Sequence, residues 1–330
     1  MRFLQFAGNP RAKALASQAF DSGRLPHALL IDGPAGAGKR TFARILAQAA
    51  VCDGEGEKPC GVCRQCRNAL ALHHPDIIEV AGGKGPRSFP VEAVRQVRAS
   101  AAVGPNDAAR KVWLLIHVQN MSEQAQNALL KLIEEPPPYA LFLLTCDSRF
   151  RVLPTVRSRC MELSLGPVAE AEAAAVLRMQ DDALSEDEAL AAARMAGGLI
   201  GQAKQGLYDG TFAASRAFCE TFASALTGSA PYVFLRLSGT LEKDAALCGA
   251  VLALLPLLFR DALALREGLE TALSGCAEQA GKLSRTCTRT ALFALTQEAE
   301  SARTALDGYA NKLLLLTDLF ARLWQIKNTI

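Results

Sequence analysis

Residues 111–160 read KVWLLIHVQNMSEQAQNALLKLIEEPPPYALFLLTCDSRFRVLPTVRSRC, and this stretch decides the fold. Val112–Val118 is a continuous apolar run broken only by His117, and Ala140–Thr145 is a second. Runs without polar alternation are what strands show when both faces are covered, the condition of a parallel sheet. Between them Ala125, Ala128, Leu129, Leu132 and Ile133 recur at three and four residues. Ser122 stands where an N-cap belongs, and the prolines from Pro136 to Pro138 forbid continuation. The spacing predicts one helix of about three turns joining two parallel strands.

Working back towards the N-terminus, 9–20 reads as a helix and 25–31 leads into a short buried strand ending at Asp32. Residues 33–39, GPAGAGK, follow with the GxxxxGK spacing of a phosphate loop: Gly33, Gly36, Gly38 and Lys39. Between strand and helix, such a loop aims backbone N–H groups and a helix N-terminus at phosphate oxygens. The next residue should be Ser or Thr, whose hydroxyl binds Mg²⁺, yet it is Arg40, with Thr41 one place late. One residue on a helix turns a side chain by about 100°, so Thr41 cannot replace that hydroxyl without rebuilding the loop. Magnesium-dependent chemistry is therefore not expected here. The competing reading is a glycine turn that only packs strand on helix.

The predicted helix 39–50 runs into CDGEGEKPCGVCRQC, which holds Cys52, Cys60, Cys63 and Cys66. Four thiolates so close fit a tetrahedral Zn²⁺ site, with Pro59 and the glycines permitting the turns. All four positions are filled by protein, so the metal is expected to be structural; reduced surface cysteines are the alternative. His73 and His74 read as the polar lead into a strand over 77–80 rather than as ligands. Lys84, Arg87, Arg95 and Arg98 form the densest basic patch of this half, around a helix beginning near Val91. A solvated helix face explains it more simply than a DNA contact does.

The chain has 330 residues, half of them hydrophobic, enough for two or three domains. Thirty-six basic residues against thirty-three acidic leave a net charge of +3, which gives no bulk argument for nucleic-acid binding. The first fifteen residues lack the pattern of a signal peptide, and no window of about eighteen apolar residues is free of charge. A cytoplasmic protein with no membrane association is expected. Ten cysteines in such a chain argue for metal binding where they cluster, not for disulfides.

The string NALLKLIEEPP at 127–137, followed by RSRC at 157–160, resembles the clamp-loader branch of the AAA+ superfamily. The resemblance implies an α/β plus all-α architecture. Residues 1–165 would form an AAA+ P-loop domain with a parallel sheet and a zinc module at 52–66. Residues 166–207 would form a small helical lid, and 208–330 a C-terminal helical collar joining subunits. The apolar stripes Val251, Leu252, Leu255, Leu258, Phe259 and Leu313, Leu316, Leu319, Phe320, Leu323 fit such a helical end.

In hydrolysing members the strand before NALLK ends in Asp-Glu, for Mg²⁺ and the attacking water; Ile116 and His117 stand there instead. Neither can hold magnesium in a site that wants oxygen ligands. Thr145 or Cys146 falls where the family has a polar group facing the nucleotide, though a strand-end polar group reads the same way. Ile200, Gly201 and Gln202 replace a nucleotide-touching arginine. The resemblance thus implies a subunit that does not hydrolyse ATP, and binds it weakly or not at all. Its Arg159, with Ser158 beside it, would reach the ATP of a neighbouring motor subunit, a task suited to a planar, permanently charged fork. Implied partners are the gamma/tau motor subunits and a clamp-opening delta subunit in a hetero-pentamer, and through them the sliding clamp and primed DNA. Two rivals stand beside this: an ATP-hydrolysing motor-type subunit, and a zinc-dependent nucleic-acid-binding module.

Overall fold

The computed structural model describes residues 1–3, 6–22, 25–83, 88–228, 232–269, 273–307 and 311–329, and divides the chain into two compact units, Met1–Val168 and Ala169–Ile330. Lys84 and Arg87 of the expected basic patch lie outside the described residues.

The first unit contains, in order, α1 (Pro10–Asp21), β1 (Ala28–Asp32), α2 (Lys39–Val51), α3 (Arg64–Leu70), β2 (Ile77–Ala81), α4 (Val91–Ala101), β3 (Lys111–Ile116), α5 (Glu123–Glu134), β4 (Ala140–Cys146), α6 (Pro154–Arg157) and β5 (Met161–Ser164). The strands form one parallel sheet in the order β2-β3-β4-β1-β5. The decisive stretch folds largely as its pattern predicts. Both β3 and β4 are buried at every position, and the Ser122 hydroxyl caps α5 by accepting the Ala125 N–H at 3.2 Å.

The even burial of these strands conceals a period of two. Trp113 and Leu115 of β3, with Phe142 and Leu144 of β4, pack into the cluster on one face, where Trp113 and Phe142 stack at 5.1 Å. Val112, Leu114 and Ile116, with Leu141 and Leu143, fill the other face against Phe42 and Leu46 of α2. Every strand residue therefore has an apolar layer to enter, which is why the sequence shows no alternation. One charge is buried here as well. Lys111, 5 % exposed, donates to the Ser100 and Val103 carbonyls at 3.2 and 3.0 Å, closing the C-terminal end of α4.

One boundary differs from expectation. The strand predicted to reach Val118 ends at Ile116, because His117 turns into the left-handed region at φ 64° and a 3₁₀ turn spans Val118–Asn120. Apolarity continues through Val118 because that residue still packs in the core, although the backbone has left the sheet.

The second unit is all helical: α7 (Glu170–Gln180), α8 (Glu186–Met195), α9 (Ile200–Tyr208), α10 (Thr211–Thr227), α11 (Tyr232–Lys243), α12 (Ala245–Arg266), α13 (Ala277–Thr286), α14 (Arg289–Asp307) and α15 (Lys312–Thr329). Ser185 and Glu188 form a reciprocal capping box at the start of α8. α12, the central helix, touches α10, α11, α13 and α14. It is long and apolar enough to cross a membrane by length and composition, but its apolar side chains line this unit's own core. It carries Pro256 in its interior and a buried Asp261 that accepts the N–H groups of Leu273 and Ser274 at 2.9 and 2.7 Å. Of the stripe near the C-terminus, Leu316, Leu319, Phe320 and Leu323 are buried, whereas Leu313 is 47 % exposed.

Candidate functional site

Most of the residues singled out from the sequence fall into three clusters of the first unit; Ile200, Gly201 and Gln202 open α9 of the second. The phosphate loop joins the C-terminal end of β1 to α2, the place where parallel α/β sheets bind ligands. Gly36 and Gly38 adopt φ of 86° and 85°, turning the loop tightly enough to start α2 at Lys39. A Cβ on Gly33 would run into the Leu165 carbonyl oxygen, and one on Gly38 would stand 3.1 Å from the Phe6 ring. Close packing thus demands glycine at Gly33, and the left-handed backbone favours it at Gly36 and Gly38.

Lys39 is 7 % exposed, and its ammonium group donates to the Gly33 carbonyl at 2.7 Å and the Pro34 carbonyl at 2.8 Å. It also pairs with Asp147 Oδ1 at 2.8 Å. The other carboxylate oxygen of Asp147 accepts from Gln119 Nε2 at 2.9 Å and lies 3.9 Å from His117 Nδ1. Arg40 does not face the loop: it pairs with Glu79 on β2, which also takes Arg44 at 2.9 Å. Thr41 is exposed on α2, so its hydroxyl does not take the magnesium position. Ile116 is buried in the sheet core, and the His117 N–H donates to Thr145 Oγ1 at 3.2 Å. Thr145 thus holds the end of β3, while burial pushes the Cys146 thiol up to about 12.

The sequence reasoning missed Asp147 and Gln119. A signal for the first existed: an acid immediately after a buried strand stands at the binding edge of a parallel sheet. Gln119 lies in the turn Val118–Asn120, just past the apolar run read as strand, and nothing in the sequence shows that this turn aims its side chain at the phosphate loop.

The second cluster is the cysteine loop, where the sulfurs of Cys52, Cys60, Cys63 and Cys66 all lie within 4.8 Å of one another. Tetrahedral coordination at about 2.3 Å would set sulfurs roughly 3.8 Å apart, so a modest contraction would close them around a metal ion. The surroundings favour a thiolate at Cys60. The N–H of Cys63 points at Cys60 Sγ at 3.4 Å, and that of Cys66 at Cys63 Sγ at 3.3 Å. Hydrogen bonding from the Cys63 and Val62 N–H groups holds Cys60 down to about 6, whereas burial raises Cys63 and Cys66. The residues present could hold a metal ion.

His74 is not part of that cluster. It is buried, its Nδ1 accepts the Asp76 N–H at 3.0 Å, and its Nε2 meets Gln65 Oε1 at 2.9 Å.

The third cluster lies after α6. Arg159, 40 % exposed at its side chain, pairs with Glu134 Oε1 at 2.8 Å and donates to the Thr155 carbonyl at 3.0 Å. Ser158 Oγ donates to the same carbonyl at 3.1 Å. These contacts hold the guanidinium at the surface, and neither Ser158 nor Arg159 joins the phosphate loop. Arg149 and Arg157 share Glu162 at 3.2 and 3.0 Å and flank the Phe150 ring. Of the basic patch on α4, Arg95 pairs with Glu92 at 3.2 Å and Arg98 is exposed.

A family model described as DNA polymerase III, delta subunit, matches residues 8–169. The delta' subunit of Escherichia coli DNA polymerase III is 33% identical over 206 residues, covering 62% of this chain and 61% of that one. That of Haemophilus influenzae is 37% identical over 149 residues, 45% of each. The gamma/tau subunit of Mycobacterium tuberculosis is 36% identical over 158 residues, 48% of this chain and 27% of that one. The chain spans less than two thirds of the length of each of these relatives. Identity is similar for the two kinds of subunit, so what separates them must be sought in single side chains of the cleft.

Proposed function

We propose that this chain is a non-hydrolysing subunit of the DNA polymerase III clamp-loader complex, a reading supported by the match of residues 8–169 to the DNA polymerase III delta-subunit model and by the similarity to delta' subunits. The observation that carries the reading is the loss of every oxygen ligand expected for Mg²⁺. Arg40 follows Lys39 and is turned to Glu79, and Ile116 and His117 end β3 where an acidic pair would be needed. Without a metal to neutralise β- and γ-oxygens or an acid to orient water, in-line phosphoryl transfer has no support.

In this reading the chain stands in a hetero-pentamer with gamma/tau motor subunits and a clamp-opening delta subunit, loading the sliding clamp onto primed DNA in the cytoplasm. It is not an enzyme alone, but part of a holoenzyme that polymerises nucleotides. Arg159 extends in trans to the ATP of a motor subunit, exchanging Glu134 for phosphate oxygens; its exposure and its tether to Thr155 support this role. Ser158 steadies that loop. Cys52, Cys60, Cys63 and Cys66 hold a structural Zn²⁺, which binds the 52–66 loop together and supplies no reactive water. Residues 166–207 act as the lid and 208–330 as the collar through which subunits assemble.

Reconstitution with Arg159→Ala tests the reading. Partner binding is expected to persist while single-turnover hydrolysis at the adjacent motor site falls by roughly 10³ or more. Loss of assembly would make the arginine architectural. Steady ATP turnover by the isolated chain would favour the motor-type alternative, to which the intact GxxxxGK spacing and the gamma/tau similarity point.

A further inference from the structure

The phosphate loop keeps its glycines and its lysine, so lost magnesium ligands do not by themselves explain what the loop binds. A lysine ammonium has three N–H donors. At Lys39 the three acceptors are the Gly33 carbonyl at 2.7 Å, the Pro34 carbonyl at 2.8 Å and Asp147 Oδ1 at 2.8 Å. None is left for a phosphate.

The Asp147 contact is built rather than incidental. Gln119, 7 % exposed, orients the carboxylate by donating to its second oxygen at 2.9 Å, and His117 lies 3.9 Å from that oxygen. Gln119 and His117 are in turn placed by the early end of β3, where the His117 N–H bonds to Thr145. From the other side Phe6, itself buried against Phe42 at 4.9 Å, covers Gly38.

We propose that Asp147 is the residue that decides what this chain's own cleft accepts, acting as an internal anion at the place a nucleotide phosphate would take. A phosphate entering the loop must either displace the carboxylate from Lys39 or sit beside it, sharing one positive charge between two anions. Arg40 offers no relief, since Glu79 holds it. The cleft therefore rejects nucleotide by charge. A ligand shifts a conformational equilibrium only by binding its states differently. A cleft closed in this way keeps the subunit in one state while nucleotide comes and goes in its neighbours. The proposal concerns the chain's own cleft, so it stands or falls separately from the role of Arg159.

The test is the full-length chain titrated with N-methylanthraniloyl-ADP, followed by fluorescence anisotropy without added magnesium. The parent, Asp147→Asn, and Asp147→Asn combined with Lys39→Ala are compared. Asn keeps the shape of the side chain and removes its charge; Asp147→Ser makes the same charge change should the Asn variant fail to fold. The expected result is binding at least tenfold tighter in Asp147→Asn than in the parent, cancelled by Lys39→Ala. A smaller gain, or one that survives Lys39→Ala, would overturn the proposal.

Discussion

A single buried carboxylate shows how much one side chain can hold in this molecule. Asp76 is 0 % exposed and gathers the N–H groups of Asn106, Asp107 and Ala108 at 2.6, 2.7 and 2.9 Å, with the Asn106 amide at 3.1 Å. Burial alone would raise its pKa, but these donors outweigh burial and hold the carboxyl below its ordinary value. A depressed folded pKa gives stability that is present above the unfolded value near 4 and lost as pH falls through the folded one. The sheet unit should therefore lose stability on acidification below about pH 4, and Asp76→Ala should flatten that limb while costing roughly 2–3 kcal/mol at neutral pH. Thermal melting of parent and variant between pH 2 and 7 checks both. At this scale the sequence was legible where chemistry follows from spacing, as at Gly33, Lys39 and the four cysteines. Asp76 was not legible, because it acts on residues 106–108 far along the chain; Asp147 could be placed at the sheet's binding edge, but its pairing with the distant Lys39 could not be read.

Elements were easier to read than their ends. The apolar runs gave β3 and β4, and Ser122 with the prolines gave α5 within a residue of its observed span. The His117 turn was missed because burial of Val118 extends the apolar pattern past the strand. Two predictions belong to elements. Ser122→Ala removes the acceptor for the Ala125 N–H and should cost about 1 kcal/mol, read by chemical denaturation. For the cysteine loop, the thiol that its neighbours' N–H groups most favour as thiolate is Cys60. Cys60→Ser, or prolonged chelation of the parent, should release about one equivalent of zinc and lower the melting temperature of the sheet unit. Metal analysis alongside calorimetry would show it, and a parent that contains no zinc would refute the assignment.

Taken whole, the chain is two units with separate cores, and the matched region 8–169 ends where the first unit does. The helical half was legible only as helical. Its main constraint is that α12 be predominantly apolar, which many sequences satisfy, whereas the first unit must also place loops and sulfurs. Leu255, fully buried on α12, belongs to the second core alone. Leu255→Ala should cost roughly 2–5 kcal/mol in that unit and leave metal content of the first unchanged, as melting and metal analysis together would reveal. Pro256 stands next to it, inside the helix against which α8, α10, α11, α13 and α14 lean. Proline has no amide hydrogen, so the Leu252 carbonyl loses its rung of the ladder. The central strut of this unit thus has a hinge point near its midpoint, and its two segments should differ in hydrogen-exchange rate rather than open as a single rod.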